Sequence, residues 1–263
     1  MANAVGLALD IFGLPALVAL AASLVLVLLG RTLAPAPYAS GVVLPWAFAL
    51  SVVAGYALLP REWAAWHPHQ DQPWQWLPYC GIFAAFAASV GSRMSSYGGV
   101  RWLVPGTAAL AGAALLVPSW QVLGLGRWAV RCIVALYLIA ICIPLLLPAR
   151  PLAKPRIIVM TVAAAMLAVA TGGMVSVRMA QLAAIAAGAL AGCCVCVVAE
   201  RGKPSNESVT SMALVFSVLV GGTAWTACVD PDPPQFMLLA FPLLPLALCV
   251  AALWSGRQVP REG

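Results

Sequence analysis

"LPYCGIFAAFAASV", residues 77–90, decides how many times this chain passes through its surroundings. The run is apolar throughout, yet as a helix its 14 residues extend only about 21 Å, and a bilayer's hydrocarbon core is roughly 30 Å thick. Its flanks supply the missing argument. The chain carries no charge from Gln72 to Ser92, and Trp74, Trp76 and Tyr79 gather at one end, where amphipathic rings meet lipid headgroups. We read the segment as a crossing. The fold class is then an all-α, polytopic transmembrane helical bundle of about nine spans. The alternative has eight spans with this third segment re-entrant.

The other spans are plainer. Apolar runs of the required length lie near 11–30, 42–60, 102–118, 128–148, 157–176, 181–199, 209–228 and 236–254. None shows the period-two alternation of a barrel strand, so each is read as a helix that satisfies its own backbone hydrogen bonds. Over the 263 residues, 63% are hydrophobic and 8% charged, whereas a soluble domain carries roughly a quarter charged residues. With a mean hydropathy of +0.98, the whole chain reads as one integral membrane domain, and the lipid bilayer is its first partner.

The net charge of +6 is no polyanion footprint, because the fourteen Lys and Arg stand singly or in small groups at the ends of apolar runs. No nucleic-acid partner is expected. Nine crossings put ten of them on one face: Arg31, Arg93, Arg101, Arg150, Lys154, Arg156, Arg201, Lys203, Arg257 and Arg261. The other face holds Arg61, Arg127, Arg131 and Arg178. The basic face is the cytoplasmic one by the positive-inside rule, giving a multi-pass protein of a bacterial inner membrane with its N-terminus periplasmic and its C-terminus cytoplasmic. Eight crossings merely exchange Arg31 and Arg61, so charge does not decide between the two threadings. The first span is expected to stay uncleaved, although "LAPAPYAS" follows it, because only Asp10 and no basic residue precedes the run.

Helices in lipid associate by close packing, which favours small residues at every fourth position. The seventh span carries such a ladder in Ala180, Ala184, Gly188, Gly192 and Cys196; the sixth carries Ala164, Ala168, Gly172 and Ser176; the third carries Ala84, Ala88 and Ser92. A small-residue centre built on these three spans is therefore expected, with the Leu- and Val-rich first and ninth spans around it. Pro242 and Pro245 in the ninth and Pro144 late in the fifth each remove a helix hydrogen bond.

Candidate chemistry is sparse. "REWAAWHPHQDQPWQW" (61–76) places His67, His69 and Asp71 close together, a partial set for zinc or copper where a structural site wants four ligands; no metal or other cofactor is expected. The tryptophans of the same stretch, Trp63, Trp66, Trp74 and Trp76, suit interfacial anchors. Cys193, Cys194 and Cys196 lie inside an apolar run, where thiols pack as small hydrophobes. "DPDPPQ" (230–235) brings two carboxylates to a stiff turn, and Ser205 or Asn206 is placed to cap the eighth helix.

The clearest hint of a solute site is a pair of glycine doublets late in the sixth and eighth spans: Thr171, Gly172 and Gly173 in one, Gly221, Gly222 and Thr223 in the other. Paired glycines weaken helices, and unwound helices build binding sites in several transporter folds. Against this, no Asp, Glu, His or Lys lies at the centre of a span, where an ionisable group would mark ion or proton coupling. No catalytic motif is visible either, so an enzyme is the least favoured of three readings. The first reading is a permease-like carrier of a small neutral solute. The second is a structural or assembly subunit, with other membrane subunits as partners.

Overall fold

A computed structural model of the protein describes residues 13–33, 39–59, 73–93, 100–116, 125–146, 153–199, 206–230, 234–247 and 250–251. Helices follow one another through these segments: α1 (Leu14–Leu33), α2 (Ala39–Tyr56), a 3-10 turn (Pro73–Trp76) running into α3 (Leu77–Arg93), α4 (Val100–Leu116), α5 (Arg127–Leu146), α6 (Ala153–Met174) and α7 (Val177–Val198). The eighth rod is α8 (Asn206–Phe216), a π-helical turn (Ser217–Gly221) and α9 (Gly222–Val229) in succession. A 3-10 helix (Phe236–Leu243) begins the ninth. There is no strand among the described residues, and the all-α bundle expected from the sequence is what forms. Four stretches, Leu14–Leu33, Lys154–Met174, Val177–Val198 and Val209–Val229, are long and apolar enough to cross a membrane.

The third segment traverses the bundle from end to end. At one end Trp46 Nε1 donates to Ser89 Oγ at 2.9 Å; at the other the rings of Tyr56 and Trp74 stand 6.3 Å apart. These pairs fix α2 and α3 antiparallel. A 3-10 turn over "PWQW" runs directly into α3 and adds about 2 Å of rise per residue to the segment.

The ninth segment departs from the expected α-helix. It winds as a 3-10 helix over Phe236–Leu243 with Pro242 inside it. Pro242 lacks the N–H that an i→i−3 or an i→i−4 bond would use, and the chain returns to α-helix at residues 244–247, which include Pro245.

The centre also differs from the expected one. It is the eighth rod, buried at every position from 212 to 229, rather than the third, sixth and seventh helices alone. Its small residues let neighbours approach: Gly221 lies against Ile141 and Leu138, Gly222 against Leu77 and Leu116. Leu219 in turn fills the space over Gly81, where a Cβ would stand 2.7 Å from Leu219 Cδ2. Hydropathy could not reveal this, because lipid-facing and protein-facing helices are equally apolar.

Helices α7 and α1 approach closely along their backbones. The buried residues of α1 are Pro15, Ala19, Ser23 and Val27, one ridge at four-residue spacing. Gly188 and Gly192 of α7 lie against the α1 backbone beside it: a Cβ on Gly188 would collide with the Ala16 carbonyl oxygen, and one on Gly192 with Ser23 Oγ and, at 2.6 Å, with Leu20 O. Ala184, one turn before Gly188, is half-buried. At the far end of the same pair, Arg31 donates to Cys196 O at 3.5 Å, while Lys154 at the start of α6 donates to Val198 O at 3.2 Å.

Backbone cannot retreat as a side chain can, so Gly192→Ala should destabilise the folded protein by about 1–3 kcal/mol, the usual cost of overpacking. Gly173→Ala, where a Cβ meets nothing within 4 Å, should leave it unchanged or slightly raise it. Unfolding midpoints in mild detergent check both.

Candidate functional site

A group of polar side chains gathers at one end of the bundle, around the start of α7. A two-residue turn joins α6 to α7: the N–H groups of Val175 and Ser176 both donate to Thr171 O, at 3.0 and 3.2 Å. Ser176 is the N-cap of α7, its backbone extended (φ −158, ψ 152) and its Oγ accepting from Met179 N at 3.3 Å. Its hydroxyl is thereby committed to the helix end.

The first turn of α7 carries Arg178, whose guanidinium lies 4.7 Å above the ring centroid of Trp74. Trp74 packs in turn against Tyr56, the two rings tilted at 51°. Gln75, beside Trp74, is 1% exposed, and Gln181, one turn along α7 from Arg178, is 3% exposed. Two amides buried in so apolar a chain are uncommon and costly without partners. The C-terminal end of the eighth rod closes the group: Thr226 Oγ lies 3.8 Å from Met179 Sδ, and Asp230 is the C-cap of α9. Ser176, Val177, Arg178, Met179 and Asp230 together line an open cleft of about 330 Å³.

The residues singled out in the sequence fall into three groups. His67, His69, Asp71, Trp63, Trp66, Ser205 and Asp232 lie outside the described residues, as does the side chain of Asn206. The described residues contain no group of three or more His, Cys, Asp or Glu able to hold a metal. Trp74 is 3% exposed and enclosed between Arg178 and Tyr56, so it is a packed platform more than a surface anchor. Trp76 is half-buried against Tyr79. Cys193 and Cys196 are buried and Cys194 half-buried, all as free thiols.

The glycine doublets are not brought together into one site. Gly172 and Gly173 are exposed and continue α6, which runs unbroken to Met174. Gly221 closes the π-helical turn and Gly222 begins α9, both buried among Leu and Ile side chains. The hydroxyls expected beside them serve their own helices: Thr171 Oγ1 donates to Leu167 O at 2.7 Å, Thr223 Oγ1 to Leu219 O at 2.6 Å.

Arg178, Gln75 and Gln181 were not among the expected site residues, and Asp230 was only a loop carboxylate. A glutamine within the Ala-rich seventh span was the available signal. The pairing of Arg178 with Trp74 joins segments too far apart in sequence to be read from either. No protein family, curated protein or solved structure matches this chain.

If the stack of Arg178 on Trp74 holds the site together, the two residues are energetically coupled. A double-mutant cycle with Trp74→Leu and Arg178→Met should give a coupling of about 1 kcal/mol in detergent unfolding; additive effects would show the stack to be incidental.

Proposed function

We propose that this protein is a non-enzymatic, multi-pass subunit of a larger membrane complex. The observation that supports this reading is the filled centre. The helix that would have to line a passage, residues 212–229, is buried at every position, its glycine gaps are occupied by Leu77, Leu116, Leu138 and Ile141, and its hydroxyls bond to carbonyls of the same rod. A bundle packed in this way offers surfaces to partners instead of a path to a solute.

The same proposal takes the bacterial cytoplasmic membrane as its location. Arg31, Arg93, Lys154 and Arg156 share one end of the bundle while Arg131 and Arg178 lie at the other, and the end richer in basic residues over the full sequence belongs to the cytoplasm. The N-terminus is then periplasmic and the C-terminus cytoplasmic.

One observation favours the carrier of a small neutral solute instead. The eighth rod contains a π-helical turn at Ser217–Gly221, and such turns often mark working sites. Purification from native membranes in mild detergent separates the two readings. The subunit reading expects constant-stoichiometry co-purification with unlike chains and reconstituted vesicles that swell no faster than empty ones. A monodisperse single species that speeds swelling in a small neutral solute would replace it with the carrier. Within either, Gly221→Leu should lower folded yield, since a Cβ there stands 2.7 Å from Ile141 Cδ1, and Gly173→Leu on the exposed end of α6, where a Cβ meets nothing within 4 Å, should not.

A further inference from the structure

We propose that the cleft at the start of α7 binds a zwitterion, a molecule in which an ammonium is joined by a short carbon chain to a phosphate or carboxylate. Two charges of opposite sign line this one opening, Arg178 from α7 and Asp230 from the end of the eighth rod. A purely anionic ligand meets the repulsion of Asp230, and a purely cationic one that of Arg178; a molecule carrying both charges meets neither. The walls between them, Val177 and Met179, are apolar and suit the connecting carbons. At about 330 Å³ the cleft is of the size that holds small ligands.

Both charges stand where helix stability disfavours them. A helix carries partial positive charge at its N-terminus and partial negative charge at its C-terminus, so cations belong near C-termini and anions near N-termini. Arg178 is in the first turn of α7, and Asp230 caps the last turn of α9. Each is at the wrong end of its helix. Charges kept against the local field are the pattern of a site that trades stability for binding. The Arg178 guanidinium, 4.7 Å from the Trp74 ring centroid, is a planar fork of donors matched to phosphate or carboxylate oxygens. Asp230 is exposed, free to approach an ammonium without rearranging the core.

The chemistry fits a lipid headgroup or a free metabolite alike, and the experiment distinguishes these sources. The full chain in mild detergent is titrated calorimetrically with phosphoethanolamine, an ω-amino carboxylate, short-chain phosphatidylethanolamine and short-chain phosphatidylglycerol. Binding of at least one zwitterion in preference to phosphatidylglycerol is expected; a preference confined to the acylated probe identifies a lipid, and binding of a free probe identifies a soluble ligand. Asp230→Asn should weaken that binding about tenfold, the loss that follows removal of one charged partner. Asp230→Glu should restore it. The unfolding midpoint of Asp230→Asn should stay close to that of the unaltered protein, since relief at the helix C-terminus and loss of attraction to Arg178 across the cleft act in opposite directions. The proposal is overturned if no zwitterion binds, if phosphatidylglycerol binds as tightly, or if Asp230→Asn binds as the unaltered protein does.

Discussion

Every polar group inside an apolar bundle must find its partner within the protein, because no water is there to replace one. The eighth rod meets that constraint most severely, and the rest of the structure is arranged around how it does so. Ser217 donates to Leu214 O at 3.2 Å, Thr223 to Leu219 O, and Thr226 to both Gly222 O and Thr223 O at 3.0 Å. Each hydroxyl is thus occupied by a carbonyl of its own rod. The helix can then be the centre of the molecule while carrying five residues, Ser217, Gly221, Gly222, Thr223 and Thr226, that in another setting would suggest a solute path.

That local self-sufficiency explains why two similar sequences have different fates. "ATGGM" and "VGGTA" both pair glycines with threonine. In the first, Gly172 and Gly173 end up exposed near the end of α6; in the second, Gly221 and Gly222 become the notches into which Leu and Ile side chains of α3, α4 and α5 fit. The difference lies in what surrounds each doublet, and that is a tertiary property. Among the described residues hydropathy located the long helices by their length, and the short third one with the help of its uncharged, aromatic flanks. It could not rank them by depth, since Leu against lipid and Leu against protein look identical in sequence.

The third segment shows where local sequence carried more than its apolar run suggested. "PWQW" was legible as an aromatic border; that it also winds into a 3-10 turn and lengthens α3 follows from the proline that starts it. The site was much less legible. Gln181 stands out in its span, but Trp74 under Arg178 and Met179 beside Thr226 are meetings between distant segments. Such contacts depend on the packing of α2, α3, α7 and α9 against one another, which no window of the chain contains. The reverse holds for Gly188 and Gly192: their spacing was visible, yet the partner, Ala16, Leu20 and Ser23 of α1, belonged to a helix that looked purely peripheral.

The two ends of α7 make the division of labour in this molecule concrete. At its C-terminus Arg31 and Lys154, from two other helices, donate to the carbonyls of Cys196 and Val198. Those carbonyls would otherwise lack intrahelical donors, and cations there also suit the helix dipole. Everything about that end favours holding α1, α6 and α7 together. At the N-terminus the cap is already made by Ser176, so Arg178 is not needed to finish the helix, and its charge opposes the local field. A single helix thus has one end whose cations suit the local dipole and one whose cation opposes it and is held over the Trp74 ring instead. The second end therefore joins α7 to the third segment through Trp74 while keeping a cation at the mouth of the cleft.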